Sequence, residues 1–172
     1  TPFLYPQWLH PKIVSTHKRK MYWAVKKCSH FICVSENSRK DLLRLFPHLD
    51  PSKCSVVFEA AEDKYGAFLK LPKEKQDQKK ACIEKQYGLK KFILSQGTRE
   101  PRKNLKNLII AFNLYRQKYP KSKVELAITG KYGWGQDIIH LKNPYIKILG
   151  YIPEKDMVAL HASAVFLAYP SF

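Results

Sequence analysis

The chain has 172 residues, with 31 Lys and Arg against 14 Asp and Glu, and a formal net charge of +17. Its apolar fraction of 45% can build a core, which excludes an intrinsically disordered chain in spite of the charge. No run approaches the roughly 20 apolar residues of a transmembrane helix, and residues 1–12 lack the charged, apolar and small-residue regions of a signal peptide.

The N-terminal part of the chain is basic. Residues 1–30 contain six Lys or Arg and no Asp or Glu, and most of these cations lie in residues 17–28, where Tyr22, Trp23 and Val25 are interleaved with them. A basic amphipathic helix of this kind can lie on an anionic membrane surface. The alternative is a solvated basic face whose aromatic residues pack inward.

Short apolar runs then alternate with longer amphipathic stretches. Most of the runs are nearly continuous in apolar residues, as parallel strands covered on both faces are. Six strands are predicted, at residues 31–34, 55–58, 92–95, 124–128, 146–149 and 164–168. Three helices are predicted between them: one capped by Ser35 and stopped before Pro47, one over residues 104–118, and one opened by Pro153. This alternation predicts an α/β protein with parallel sheets.

A change of composition divides the chain. Residues 62–90 are rich in Lys, Glu and Gln and poor in β-branched residues, and they predict one charged helix at about 73–87 that Gly88 ends. We therefore expect residues 1–61 to form the end of one α/β domain, residues 62–90 a charged connector, and residues 91–172 the front of a second domain.

The four cysteines, Cys28, Cys33, Cys54 and Cys82, form no C-x-x-C pair and are interpreted as reduced thiols of a cytoplasmic protein. Cys28, His30 and Cys33 are close enough to suggest zinc, but no second pair of ligands follows them. No metal site is predicted, and Cys33 is interpreted as a small buried residue at the start of a strand.

The most informative segment is the loop S-Q-G-T-R-E-P-R-K-N, residues 95–104. A strand leads into Gly97, the loop carries Arg99, Arg102 and Lys103, and a helix starts at about Asn104. Glycine permits a tight turn and the close approach of a ligand, while a helix N-terminus and side-chain cations attract phosphate. The segment indicates a diphosphate site, and the alternative is an exposed loop with solvated charges.

Two further glycine loops follow the next two strands: G-K-Y-G-W-G at residues 130–135 and G-Y-I-P-E at residues 150–154. The first matches neither the P-loop nor the dinucleotide-binding fingerprint. In open α/β sheets, however, ligands bind outside the carboxyl ends of the strands. Because all three loops follow consecutive strands, we expect them to converge on one edge of a sheet.

The order of these segments resembles glycosyltransferase family 4, whose members are retaining enzymes of the GT-B fold. The matching phrases are FICVSENSRKDL, KCSVVFEAAEDKY, FILSQGTREPRKNLKNLIIAF, LAITGKYGW, IKILGYIPEKDMVALHASA and VFLAYPSF. The resemblance implies two Rossmann-like domains with the active site in the cleft between them, the acceptor on the N-terminal domain and a nucleotide-diphosphate sugar on the C-terminal one. The alternative is an unrelated nucleotide-binding α/β protein.

The resemblance assigns the loop residues to the donor. Lys103 would bind the donor diphosphate and offset the charge that develops on the leaving group. Many family members have an arginine directly after the strand glycine, here Gly97, but this chain has Thr98 at that position. Arg99 or Arg102 would then supply the charge.

The same resemblance places Gly97 and Gly130 along the donor cleft, and it matches Ile152, just after Gly150, to the place where the family's backbone meets the nucleobase. No metal and no cofactor are implied, because cationic side chains replace the metal ion that other glycosyltransferases use.

Two parts of the family pattern are absent. Family members continue P-S-x-x-E-G-F-G-x-P, whereas this chain stops at Phe172, before the two glutamates. The family's His-Asp pair would precede Thr1. The catalytic residues are therefore expected outside this chain, which looks like a fragment, and we expect no transferase activity from it alone.

For the full enzyme, the resemblance implies transfer of a hexose with retention to a glycan or lipid-linked acceptor, as in polysaccharide biosynthesis. The phrase G-T-x-E-P-R-K-N favours a mannosyltransferase and GDP-mannose, with a UDP-sugar as the other donor. The expected location is cytoplasmic, at the inner face of the plasma membrane if residues 17–28 bind lipid. The alternative function is a basic nucleic-acid- or nucleotide-binding module without transferase activity. Dispersed cations and the lack of an RRM, zinc-finger or helix-turn-helix signature argue against nucleic acid.

Overall fold

The computed structural model describes residues 2–134 and 143–172. The chain divides into two compact units, Thr1–Glu62 (unit 1) and Asp63–Phe172 (unit 2). Both units combine helices with parallel strands, which confirms the predicted α/β class. Among the described residues, no helix combines the length and the apolar character that crossing a membrane requires.

Unit 1 is a short β-α-β arrangement preceded by a long helix. Its elements are α1 (Pro11–Lys27), β1 (Phe31–Cys33), α2 (Glu36–Leu45) and β2 (Cys54–Val56). The two strands pair in parallel, with Cys33 opposite Val56. As predicted, Ser35 caps α2, because its Oγ accepts a hydrogen bond of 3.1 Å from the backbone N–H of Ser38.

The first helix is longer than the basic segment that the sequence singled out. It begins at Pro11, whose fixed φ suits the first helical position. His10 caps this end, with its Nδ1 accepting a hydrogen bond of 3.3 Å from the N–H of Lys12. The whole basic segment up to Lys27 is therefore helical, and Met21 and Val25 pack against the core of unit 1.

Unit 2 contains a three-stranded parallel sheet in the order β3-β4-β5. Its elements are α3 (Asp63–Leu69), α4 (Lys73–Tyr87), β3 (Phe92–Ser95), α5 (Leu105–Lys118), β4 (Glu125–Thr129), β5 (Ile146–Gly150) and α6 (Glu154–Ser163). The predicted charged helix is α4, and Gly88 ends it with φ of +64°. Phe68 of α3 and Ile83 of α4 belong to the core of unit 2, so residues 62–90 contribute packing as well as a connection.

Residues 164–168, predicted as a strand, run beside β3 without forming a regular strand. The N–H of Val165 donates to the carbonyl of Phe92, and the N–H of Ala168 donates to the carbonyl of Leu94, at 2.8 and 2.7 Å. Because alternate residues of β3 point their polar groups to opposite edges, this segment lies on the edge away from β4. The apolar side chains of Val165, Phe166 and Leu167 in this segment are about half exposed.

Two apolar clusters cover the two faces of this sheet. Phe92 and Leu94 point to one face, where α4 and α6 pack, while Leu126 and Ile128 point to the other, where α5 packs. All four of these strand side chains are almost completely buried. Because both faces of the sheet are covered by helices, the carboxyl edge, where the glycine loops emerge, is the part of the sheet that a ligand can approach.

Candidate functional site

The three glycine loops meet at the carboxyl edge of the sheet in unit 2. Gly97 follows β3, Gly130 follows β4, and Gly150 ends β5; their φ angles are +122°, +113° and +67°. The N–H of Gly130 donates a hydrogen bond of 2.7 Å to the carbonyl of Gly150. A Cβ atom added to Gly130 would lie 2.1 Å from the carbonyl oxygen of Gly97. Only glycine allows the loops to approach this closely, and the convergence expected from the sequence is present.

The second loop also fixes the shape of the first. The N–H of Arg99 donates to the carbonyl of Lys131 at 3.0 Å, and the N–H of Gly133 donates back to the carbonyl of Arg99 at 3.2 Å. A Cβ on Gly133 would approach Cγ2 of Thr98 to 2.8 Å. These contacts hold the basic loop against its neighbour. The last glycine of the second motif, Gly135, lies outside the described residues.

Lys103 brings its ammonium group over the first glycine. Residues Pro101–Lys103 form a single 3-10 turn, and Asn104, at φ of +57°, leads into α5. The Nζ of Lys103 lies 3.9 Å from the position that a Cβ on Gly97 would occupy and 4.1 Å from the centroid of the Tyr169 ring. Burial, followed by the charge of Arg102, lowers the pKa of Lys103, while Glu100 opposes the shift.

The two arginines of the loop have different surroundings. Nε of Arg102 donates to Oε2 of Glu100 at 2.7 Å in a partly buried ion pair, which offsets its charge locally. The guanidinium carbon of Arg99 lies 5.5 Å from the centroid of the Tyr132 ring, within cation–π range. The structure thus places Lys103 at Gly97, Arg102 on a carboxylate and Arg99 on an aromatic ring.

The third loop contributes a buried anchor and an exposed ring. Ile152 is 5% exposed and its side chain belongs to the main core cluster of unit 2. Tyr151, directly after Gly150, is 65% exposed. The Nζ of Lys131 lies 5.2 Å from the centroid of its ring.

Three residues at this edge were missed by the sequence reasoning. Tyr169 follows the last predicted strand, so the rule that carboxyl ends share one edge could have found it. Nothing in the sequence besides the position of Glu100 in the loop indicated that it would pair with Arg102. His161, in α6, donates a hydrogen bond from its Nε2 to Oε1 of Gln96, which directly precedes Gly97. Burial lowers the pKa of His161.

The cysteine and histidine residues that suggested zinc are dispersed. Nε2 of His30 and Oγ of Ser55 are hydrogen-bonded at 3.0 Å. Cys28 is exposed, whereas Cys33, at the end of β1, is buried in the core of unit 1. Burial raises the pKa of the Cys33 thiol. Within residues 2–134 and 143–172, no three His, Cys, Asp or Glu side chains lie together in a way that would hold a metal ion.

Fold and site define an α/β protein whose parallel strands end in converging glycine loops, with a partly buried lysine beside the first of them. No family model matches the chain. The chain is 26% identical over 174 residues to O-antigen chain mannosyltransferase B of Escherichia coli, and the match covers 95% of this chain and 43% of that protein. It thus spans less than half the length of this relative. The similarity supports a glycosyltransferase in general, and the parallel α/β architecture is consistent with a Rossmann-like glycosyltransferase fold.

Proposed function

We propose that this chain is the nucleotide-sugar-binding part of a retaining glycosyltransferase of family 4 with the GT-B fold. The donor is a nucleotide-diphosphate sugar, and GDP-mannose is preferred over a UDP-sugar because the similar protein from E. coli is named a mannosyltransferase. The acceptor is a glycan or a lipid-linked glycan.

The observation that supports this proposal most strongly is the position of Lys103. Its ammonium group lies beside Gly97, where the missing side chain leaves space, and at the edge where ligands of open α/β sheets bind. Burial makes an ammonium group gain more from an anionic partner than it would in water. A diphosphate at Gly97 would place negative charge directly beside this partly desolvated lysine.

Bound in this way, the donor would leave with help from the protein alone. When the bond between the sugar and the diphosphate breaks, negative charge grows on the departing phosphate oxygen. Lys103, already in place, would stabilise that charge, with Arg99 and Arg102 contributing to the positive field of the loop. No metal ion and no cofactor is part of this proposal.

Calorimetric titration with GDP, UDP and GDP-mannose tests the site. Lys103→Ala should weaken GDP binding about 10- to 100-fold, since it removes a charge-assisted bond to phosphate. Lys118→Ala is the matched control, because the Nζ of Lys118 also lies over a tyrosine ring, that of Tyr119, but at the other end of α5. Equal affinity of Lys103→Ala and Lys118→Ala would contradict the proposal.

The alternative function is a basic nucleic-acid- or nucleotide-binding module without transferase activity, and its nucleic-acid form predicts a different result in binding experiments. Charge-driven binding to duplex DNA falls steeply with salt. If the chain binds DNA in this way and neither GDP nor UDP competes, the alternative replaces the nucleotide-sugar proposal. If GDP binds and DNA does not, the nucleic-acid form of the alternative is excluded, and transfer of the sugar separates a transferase from a module that only binds nucleotides.

An anionic membrane surface is the proposed partner of α1. Trp23 is 63% exposed, and its neighbours three and four residues away on the helix surface are Arg19, Lys20, Lys26 and Lys27, all exposed. The ring of Tyr22, in contrast, contacts that of Phe46 in the core of unit 1, and the two ring centroids are 5.7 Å apart. An exposed tryptophan surrounded by four cations suits the headgroup region of an anionic bilayer.

Vesicle pelleting tests this partner. We expect binding to vesicles that contain anionic lipid, weak binding to neutral vesicles, and a clear loss of binding for Trp23→Ala. Trp8→Phe is the control, because Trp8 stacks on Tyr5 at a centroid distance of 4.5 Å, outside α1. Equal binding to neutral and anionic vesicles would contradict the proposal. The proposed location is cytoplasmic, at the inner face of the plasma membrane, and such binding would be consistent with it.

A further inference from the structure

Tyr169 lies at the carboxyl edge of the sheet in unit 2, beside the proposed diphosphate site, and backbone contacts hold the chain before and after it. The N–H of Ala168, directly before it, donates to the carbonyl of Leu94 in β3 at 2.7 Å. The N–H of Phe172, three residues after it, donates to the carbonyl of Arg102 at 3.1 Å. The ring of Tyr169 is therefore carried by a segment that is fixed to β3 and to the 3-10 turn that contains Lys103.

The ring of Tyr169 lies close to the ammonium group of Lys103. Nζ is 4.1 Å from the ring centroid, whereas the comparable pair of Lys118 and Tyr119 is separated by 5.6 Å. The hydroxyl of Tyr169 lies 3.9 Å from the position of a Cβ on Gly97. The ring and the glycine thus bound the space that the ammonium group occupies, and at 4.1 Å the cation–π attraction is well within its range.

We infer that Tyr169 is a positioning residue, whose ring holds the ammonium group of Lys103 over Gly97 before a diphosphate binds. A lysine side chain is flexible, and ordering it on binding costs conformational entropy. A ring that orders it beforehand reduces that cost, which is the usual benefit of preorganisation. The functional part of this inference rests on the proposed donor site, while the placement of Lys103 by the ring does not.

Nuclear magnetic resonance tests the placement without any nucleotide. Protons of the Lys103 ε-methylene group that lie over an aromatic ring are shifted upfield by the ring current. The shift should persist in Tyr169→Phe, which keeps the ring, and vanish in Tyr169→Leu, which removes it. An ordinary lysine shift in the wild type would overturn the inference.

GDP titration tests the functional consequence. Tyr169→Leu should weaken binding about 2- to 10-fold, the range expected when one flexible side chain must be ordered on binding, while Tyr169→Phe stays within about two-fold of the wild type. Tyr119→Leu is the matched control, since Tyr119 is a similarly exposed tyrosine with a lysine over its ring. In the Lys103→Ala background, Tyr169→Leu should have no further effect, because its role is exerted through Lys103.

The possible outcomes are distinguishable. An equal loss from Tyr169→Leu with and without Lys103 would overturn the inference, because the tyrosine would then act on the ligand or the fold directly. Unchanged GDP affinity of Tyr169→Leu would overturn its functional part. Equal affinity of wild type and Lys103→Ala would overturn the proposed donor site, and the ring-current experiment would still decide the placement. Tyr169 is 53% exposed, and circular dichroism of each variant verifies the fold.

Discussion

At the scale of single residues, the carboxyl edge of the sheet in unit 2 depends strongly on the glycine at position 130. A Cβ on Gly130 would lie 2.1 Å from the carbonyl oxygen of Gly97 and 2.5 Å from its carbonyl carbon, and φ at Gly130 is +113°. Both neighbours are backbone atoms, which cannot rotate away as a side chain can. The space that brings the two loops together is therefore closed to every other residue type.

We expect Gly130→Ala to lower the free energy of unfolding of unit 2 by at least about 2 kcal/mol, through backbone strain and the forced separation of the loops. Gly66→Ala in α3 is the matched control. A Cβ at Gly66 meets no atom within 4 Å, and alanine in a helix should raise stability by about 0.5–1 kcal/mol. Urea denaturation followed by circular dichroism measures both, and similar values for the two variants would contradict the interpretation.

At the scale of elements, the sequence predicted what local chemistry determines. Ser35 caps α2, Gly88 ends α4, and the apolar run at β3 has the predicted bounds Phe92–Ser95, because each signal lies within a few residues of its effect. The meeting of the three glycine loops was also predictable, since the edge rule for parallel strands needs only strand order.

The contacts that distinguish the three cations could not be predicted from the sequence. Glu100 pairs with Arg102, and Tyr169 lies by Lys103, but either cation could have reached the carboxylate on spacing alone. The contact between His161 and Gln96 joins residues 65 positions apart. Such pairs depend on how α6 and the last segment pack on the sheet, which side-chain volume and twist determine together.

The contact of α6 with the end of β3 makes stability depend on pH. Burial lowers the pKa of His161 in the folded state below its ordinary value of 6.5, with Gln96 and the ring of Tyr65 as its neighbours. The contribution of neutral His161 to the free energy of unfolding is complete above pH 6.5. It is lost as the pH falls through the lower, folded-state pKa, because the unfolded chain takes up the proton first. We expect the stability of unit 2 to decline from pH 7 towards pH 5.

His161→Asn should flatten this decline. Urea midpoints measured at a series of pH values for both proteins give the comparison directly. If the urea midpoint falls equally with pH in the wild type and the variant, His161 is not the group that makes stability depend on pH.

At the scale of the whole molecule, the two units carry different proposed roles. Unit 1 has ten Lys and Arg against five Asp and Glu, and unit 2 has 21 against nine, so both are basic. Each unit also has apolar clusters built from its own residues. The proposed membrane helix α1 lies in unit 1, whereas Gly97, Lys103, Gly130 and Tyr169 all lie in unit 2.

This separation predicts that residues 63–172 alone fold cooperatively and bind GDP within about two-fold of the whole chain, because every residue assigned to the phosphate site lies in this unit. The same fragment should bind anionic vesicles more weakly than the whole chain, since it lacks α1. Thermal unfolding, calorimetry and vesicle pelleting measure the three properties, with Lys103→Ala in the fragment as the control for specific binding. A folded fragment that lacks the GDP affinity of the whole chain would contradict the assignment of the proposed phosphate site to unit 2, and undiminished vesicle binding would remove α1 from the membrane role.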